Sequence, residues 1–223
     1  MQSREQSLQQ LIQKMKQNKI TSIEVQKKQR GRFSVFIDGE FSFGISDIDL
    51  YNLGLAVGDV VTEEQMALIE ETIDVQKCRD YAVNLVSKKM YTKKEIAEKM
   101  QKKGFSKTAT DGVMDILEEY GYVNDDLYAE MYCEYQSRKF GAKKIRYDLQ
   151  MKGISQEIIQ KHICKIENRD ELMELVKLKI KGKTVDIKER QKIVRHFLSK
   201  GFDYDAVKSC IDSVCGNETE DYE

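Results

Sequence analysis

Over the second two-thirds of the chain, apolar residues return in a cycle of about 48 positions. The tripeptides Lys103-Gly104-Phe105, Lys152-Gly153-Ile154 and Lys200-Gly201-Phe202 stand 49 and 48 residues apart. Their likeness extends outward from each glycine. Eight residues before it lie Ile96, Ile145 and Ile193; four before it lie Met100, Leu149 and Phe197. Such i, i+4 pairs mark the inward stripe of a helix. Two residues after each glycine come Ser106, Ser155 and Asp203, types whose side-chain oxygen caps a helix by accepting an orphan backbone N–H. The inward positions then recur at offsets +5, +9, +10 and +13: Ala109, Val113, Met114, Leu117; Ile158, His162, Ile163, Ile166; Ala206, Cys210, Ile211, Val214. Each glycine therefore suits the C′ position that ends one helix just before the next begins.

Every copy also has an earlier helix. Its stripe is Cys78, Tyr81, Ala82, Leu85 and Val86 in the first copy and Leu127, Tyr128, Met131, Tyr132 and Tyr135 in the second. In the third it is Leu172, Leu175, Val176 and Ile180. Thr92-x-x-Glu95 is a capping box for the first copy's middle helix. The expected fold is mainly α: three tandem three-helix repeats over 76–122, 123–168 and 169–216, packed in a curved array because one unit alone has little core. The front, 1–75, reads differently. A short helix is expected over 5–16 (Leu8, Leu11, Ile12, Met15), and Thr21–Gln26 alternates. Phe33–Ile37 and Phe41–Ile45 flank Asp38-Gly39, the signature of a type I′ hairpin in which Phe36 faces Phe41. A helix then starts near Thr62, where Thr62 and Gln65 repeat the box spacing.

Composition agrees with this pattern. Among 223 residues there is no proline, and 40% are hydrophobic against 34% charged, a mixture suited to helices with large solvated faces. No run of 18 apolar residues marks a membrane span, and the start lacks the apolar core of a signal peptide. The five cysteines, Cys78, Cys133, Cys164, Cys210 and Cys215, are scattered without a C-x-x-C, so neither a disulfide framework nor a zinc knuckle is expected, and a reducing cytoplasm is the natural compartment. The net charge of -1 conceals segregation. Residues 1–76 carry net -4, residues 77–216 net +7 and residues 217–223 net -4. That acidic tail lacks apolar anchors and is expected to stay unordered, competing with polyanions for the basic body.

Chemistry-bearing residues are sparse. His162 occupies a core position, and His196 has no acidic or cysteine neighbour along the chain. Asn124-Asp125-Asp126 could ligate a metal, but it opens a helix, where capping and the helix dipole account for it. No phosphate-binding glycine loop appears. No enzyme, cofactor or metal site is expected. Tyr128, Tyr132 and Tyr135 have core spacing rather than the look of a base-stacking platform. The basic clusters are more open. Lys88, Lys89, Lys93, Lys94, Lys102 and Lys103 surround the first repeat's middle helix, and Arg138, Lys139, Lys143, Lys144 and Arg146 the second's. Since Ile145 and Leu149 turn that second helix inward, Lys143, Lys144 and Arg146 are expected on its outside, as part of a basic stripe.

Three segments carry a family likeness. Gly121-Tyr-Val-Asn-Asp-Asp-Leu-Tyr-Ala129 resembles the G-Y-[LI]-[DN]-D-x-x-[FY]-A run of the RecX family, regulators of RecA recombinase. So do Arg138-x-x-Gly141-x-x-x-Ile145-x-x-x-Leu149-x-x-Lys152-Gly153-Ile154 and Glu95-Ile96…Lys103-Gly104-Phe105. The resemblance covers roughly residues 78–215. It implies an array that lies in the groove of a RecA–DNA filament, engages single- and double-stranded DNA, and restrains the ATPase, strand-exchange and coprotease activities used in recombination, DNA repair and the SOS response. In the third repeat the Arg-x-x-Gly segment becomes Lys181-Gly-Lys183, shifted in register. A helical-repeat adaptor and a DNA-binding transcription regulator are the rival readings of the residues alone.

Overall fold

The computed structural model describes residues 17–27, 30–182 and 185–215. The helix expected over 5–16 and the acidic tail at 217–223 lie outside those residues. Two compact units are present: residues up to Ala82 with Lys103–Val113, and Val83–Lys102 with the chain from Met114 onward.

The first unit holds an antiparallel sheet of β1 (Ile20–Val25), β2 (Arg32–Ile37) and β3 (Glu40–Ser46), in that order. Asp38 and Gly39 both have positive φ, 51° and 83°, as a type I′ turn demands. Phe36 pairs with Phe41, their rings meeting edge-on at 5.9 Å. The Asp38 carboxylate also accepts from the backbone N–H groups of Asn18 and Lys19, tying the turn to the start of β1. A short helix α1 (Asp47–Asn52) follows, capped by Ser46. Then α2 (Glu63–Val86) opens with a reciprocal box, Thr62 N–H to Gln65 Oε1 at 2.9 Å and Gln65 N–H to Thr62 Oγ1 at 3.1 Å. Ile20, Val35, Ile45, Val61, Ile69 and Ile73 form the core. Helix α2 runs unbroken past residue 75.

The remaining helices are α3 (Lys93–Lys103) and α4 (Lys107–Glu119), then α5 (Asp125–Ser137), α6 (Ala142–Met151) and α7 (Gln156–Ile163), then α8 (Arg169–Ile180), α9 (Ile187–Ser199) and α10 (Tyr204–Cys215). With the end of α2, these make three successive three-helix repeats. Each repeat glycine is left-handed where the middle helix stops: φ is 94° at Gly104 and 84° at both Gly153 and Gly201. Ser106, Ser155 and Asp203 cap the next helices through Ala109, Ile158 and Asp205 N–H groups. Two middle helices begin twelve residues before their glycines, at Thr92 and Gly141. The third begins earlier, with Asp186 Oδ1 accepting from Glu189 N–H at 2.7 Å.

Ile145, Leu149, Ile159 and Ile163 centre the second repeat's core, and Leu172, Val176, Phe197, Phe202, Val207 and Ile211 the third's. Two stripes differ from expectation. At offset +6 from the glycines, Thr110, Ile159 and Val207 are among the most buried residues, while Ile158 and Ala206 at +5 sit only part-way in. On α5, Leu127, Met131 and Tyr135 face solvent, and Ala129 and Cys133 face the core. Small inward side chains let α5 approach its neighbours closely, which rotates the larger apolar residues outward.

Candidate functional site

Of the basic residues singled out by sequence, Lys94 and Lys143 lie where one repeat meets the next. In the first of these junctions, Thr92 and Glu95 form the expected reciprocal cap at the start of α3, each bond 3.2 Å. The Thr92 hydroxyl also donates to the Lys152 carbonyl at 2.8 Å, and Lys94 Nζ to the Met151 carbonyl at 3.2 Å. The start of α3 thus satisfies carbonyls left open where α6 ends. Lys152 Nζ returns the contact, 2.6 Å from Glu95 Oε1, and lies over the stacked rings of Tyr128 and Tyr132. Burial alone would lower the Lys152 ammonium, but Glu95 and the Tyr128 hydroxyl outweigh it and hold the group above the ordinary lysine range. Burial and the Asp148 carboxylate push the Tyr132 phenol up to about 12.

In the second junction the backbone makes the contact. Gly141 N–H donates to the Lys200 carbonyl at 3.0 Å and Lys143 N–H to the Gly201 carbonyl at 3.2 Å. A Cβ on Gly141 would overlap the Gly201 carbonyl, and one on Gly201 would overlap the Lys144 amide. This mutual approach is the physical reason for glycine in both the Arg138-x-x-Gly141 and Lys200-Gly201 segments.

The cations fall into two groups. Lys88, Lys89, Lys102, Lys103, Arg138 and Lys139 are exposed. Lys89 lies 4.5 Å over the Tyr91 ring and Lys139 5.3 Å over that of Tyr135. Among the described residues, Lys88, Lys102, Lys103 and Arg138 have no ion-pair partner. The others are engaged. Lys93 meets Glu118 at 2.6 Å, and Lys94 lies 3.9 Å from Glu98. On α6 the structure corrects the expectation of free outward cations. Lys143 is exposed but pairs with Asp203 at 3.4 Å; Lys144 is half-buried against Asp148 at 2.7 Å; Arg146 donates to Gln160 at 3.0 Å. The start of α6 is docked on the third repeat, where Lys143 pairs across the junction, while Lys144 and Arg146 are engaged within their own repeat.

One cluster escaped sequence reasoning. Asn124 does cap α5 through Leu127 N–H, but capping does not exhaust the acids beside it. Asp125 accepts from the Lys93 backbone N–H at 2.9 Å, and burial raises its carboxyl. Asp126 meets Lys161 at 2.8 Å and the buried His162 Nε2 at 2.9 Å. Its carboxyl is held low by Lys161 first and His162 second. Partners 35 and 36 residues away leave no local signal.

For nucleophilic chemistry the groups are poorly tuned. Burial pushes the Cys78 and Cys133 thiols up to about 11, away from the reactive thiolate. Burial, with Lys179 and Lys200, lowers His196, whose ring packs on Phe197. Among the described residues no three His, Cys, Asp or Glu side chains converge as a metal site, and no helix is long and apolar enough to cross a membrane.

Comparison with known proteins gives a consistent result. Residues 18–62 match the regulatory protein RecX N-terminal domain, 78–117 the first RecX three-helix domain and 124–163 the second. The chain is 35% identical to the regulatory protein RecX of Clostridium perfringens (strain 13 / Type A) over 207 residues, covering 90% of this chain and 98% of that one. It is 31% identical to that of Clostridium botulinum (strain Eklund 17B / Type B) over 210 residues, 91% and 99% of the two chains. A crystal structure of regulatory protein RecX superposes with a TM-score of 0.70 at 23% identity, over 87% of this chain and 98% of that one. RecX from Lactobacillus salivarius gives 0.58, also at 23% identity, over 64% and 97%. The solved structures share the fold; the identity to full-length relatives, with the domain matches, shows that this chain belongs to the RecX family of regulatory proteins.

Proposed function

We propose that this chain regulates a RecA recombinase in the cytoplasm by binding along its DNA filament, and that it acts stoichiometrically rather than as an enzyme. The observation that carries this reading is the pair of repeat junctions. They hold successive three-helix repeats in register while leaving Lys88, Lys89, Lys102, Lys103, Arg138 and Lys139 exposed on the surface. Exposed cations on repeating units suit the regular phosphates of a nucleic acid or the repeating acids of a filament. Occupying the groove, the chain inhibits ATP hydrolysis, strand exchange and coprotease activity together, because all three need the same filament.

Co-sedimentation with RecA filaments on single-stranded DNA tests the reading. The parent chain pellets with the filament and slows its ATPase. Reversing Lys88, Lys89, Arg138 and Lys139 to Glu weakens both while leaving the fold intact, since exposed charges matter by less than about 0.5 kcal/mol each. If phosphates are the ligands, removing each cation–phosphate pair flattens the log–log salt dependence of free single-stranded DNA binding by about 0.7. If recombinase acids are the ligands, filament inhibition falls and free-DNA binding holds. A folded quadruple variant that pellets and inhibits like the parent sinks the proposal.

A further inference from the structure

The turns that lead from the first to the middle helix of repeats 1 and 2 share an arrangement of ring and cation. Residues 87–92 follow α2, and residues 138–141 follow α5. In the first turn the Lys89 ammonium lies 4.5 Å from the centre of the Tyr91 ring, and Lys99, reaching from α3, lies 5.4 Å from it. In the second, Lys139 lies 5.3 Å from the centre of the Tyr135 ring. By the repeat spacing the residue equivalent to Tyr91 is Phe140, which packs against the second core. The ring in that turn comes from the end of α5 instead. Tyr135 is 59% exposed, and Tyr91 is half-buried. The corresponding stretch of the third repeat, residues 179–187, contains no aromatic residue.

Charge sets these turns apart. Lys93, Lys144, Lys152 and Lys161 each lie 2.6–2.8 Å from a carboxylate. Among the described residues, Lys89, Lys99, Lys139 and the neighbouring Arg138 have no carboxylate within ion-pair distance. A ring face offsets only a small part of a full charge at an exposed site. Lys89 and Lys99 converge on one ring, so each also disfavours the other. A simple anion would satisfy these cations and leave the rings idle, and an apolar ligand would do the reverse. A nucleotide carries a flat π surface and an anionic phosphate in one unit. A duplex keeps its bases inside its own stack, so the form that offers both is a single strand. The return of the same pair in successive repeats fits a polymer that itself repeats base and phosphate.

We infer that Tyr91 and Tyr135 are stacking platforms for unpaired bases of a single-stranded nucleic acid. Lys89 and Lys99 hold the phosphates beside the first ring, and Arg138 and Lys139 those beside the second. The inference rests on the nucleic-acid form of the filament reading and adds a demand that phosphate contact alone does not make. The bases must be present and unstacked, because a strand stripped of them offers the rings nothing.

Tyr91→Leu with Tyr135→Leu removes both rings and keeps every cation. The affinity of the full chain for an oligothymidylate of about 12 nucleotides should fall about tenfold for each ring, with the slope of its salt dependence unchanged. An abasic strand of the same length should bind the parent as weakly as oligothymidylate binds the double variant, and should not respond to the substitutions. The sequence contains no tryptophan, so Tyr91→Trp and Tyr135→Trp, made singly, each supply one indole while keeping an aromatic ring. Its emission should be quenched by oligothymidylate and not by the abasic strand, a readout that survives even if the leucine variant folds poorly. Equal affinity of the parent for the two strands, or indole emission that neither strand alters, overturns the inference. So does a folded double variant that binds oligothymidylate normally but no longer pellets with the filament, which would put the rings against the recombinase. A double variant that matches the parent in DNA binding, pelleting and inhibition removes the stacking and leaves the filament reading standing.

Discussion

The two repeat junctions join equivalent points by different chemistry. Between the first and second repeats, side chains do the joining: Thr92 to the Lys152 carbonyl, Lys94 to the Met151 carbonyl, and Lys152 to Glu95 over two tyrosines. Between the second and third, Gly141 and Lys143 N–H groups meet the Lys200 and Gly201 carbonyls directly. A side-chain junction can adapt by changing rotamers, and it carries charge. A backbone junction is held by neutral groups, with only the exposed Lys143–Asp203 pair at its edge, and has little slack. The same geometry should therefore fail in different ways.

The largest effect is expected from Gly141→Ala. Its φ of -80° suits any residue, so the whole cost is the overlap with the Gly201 carbonyl. Backbone on both sides cannot yield cheaply, and about 3 kcal/mol of stability should be lost, read as a lower urea midpoint at unchanged slope. A loss well below 1 kcal/mol, on the same scale, would show that the junction breathes.

Lys152→Met tests the other junction. It leaves Glu95, 27% exposed, without its cation, and about 1–2 kcal/mol should go at pH 7, a charged hydrogen bond discounted for partial exposure. The folded-state pKa of Lys152 is raised, so its contribution is complete below the unfolded lysine value of about 10.4 and is lost as pH climbs beyond it. Tyr132 is raised too and moves stability in the same direction. The informative quantity is therefore the gap between parent and variant, which should be steady from pH 7 to 9 and narrow above. A gap that widens with alkali would refute the pairing.

Gly104→Ala separates conformation from packing. Nothing lies within 4 Å of the added Cβ, but φ is +94°, so only left-handed strain remains, about 1–2 kcal/mol. If Gly104→Ala matched Gly141→Ala, steric approach would not be what distinguishes the second junction. The smallest change is expected from Lys143→Ala. Its partner Asp203 is 60% exposed and the lysine 71%, so thermal unfolding should shift by no more than about 0.5 kcal/mol allows.

These junctions also show where sequence reading stops. The Thr62–Gln65 and Thr92–Glu95 boxes, the Asp38-Gly39 turn and the three left-handed glycines are legible because each involves partners within a few residues. The 48-residue cycle exposes the repeats for the same reason, being local structure written three times. Gly141 against Gly201 is an approach across 60 residues between two positions without side chains, and no apolar pattern encodes it. Asp126 with His162 is equally non-local. On α5, reading the larger apolar residues as core selected Leu127 and Tyr135 over Ala129 and Cys133; close packing favoured the small ones. For the candidate site, the cations were visible in sequence as a class. Which of them are engaged at Glu118 or Asp203 depended on helices brought together by the fold, whereas the Lys144–Asp148 pair is an i, i+4 contact within α6.

The aspartate that starts α9 has a consequence for assembly. In the first two repeats, the opening of the middle helix offers a hydrogen-bond donor to carbonyls of the next: the Thr92 hydroxyl, then the Gly141 amide. In the third, the Asp186 carboxylate occupies the opening and points its lone pairs at the helix's own Glu189 amide. A neighbouring molecule trying to extend the series would bring carbonyl oxygen towards carboxylate oxygen, acceptor against acceptor. Head-to-tail contacts that do not close on themselves grow into fibres. At the α9 opening the Asp186 carboxylate therefore disfavours the carbonyl docking that the Thr92 hydroxyl and the Gly141 amide support at the other two.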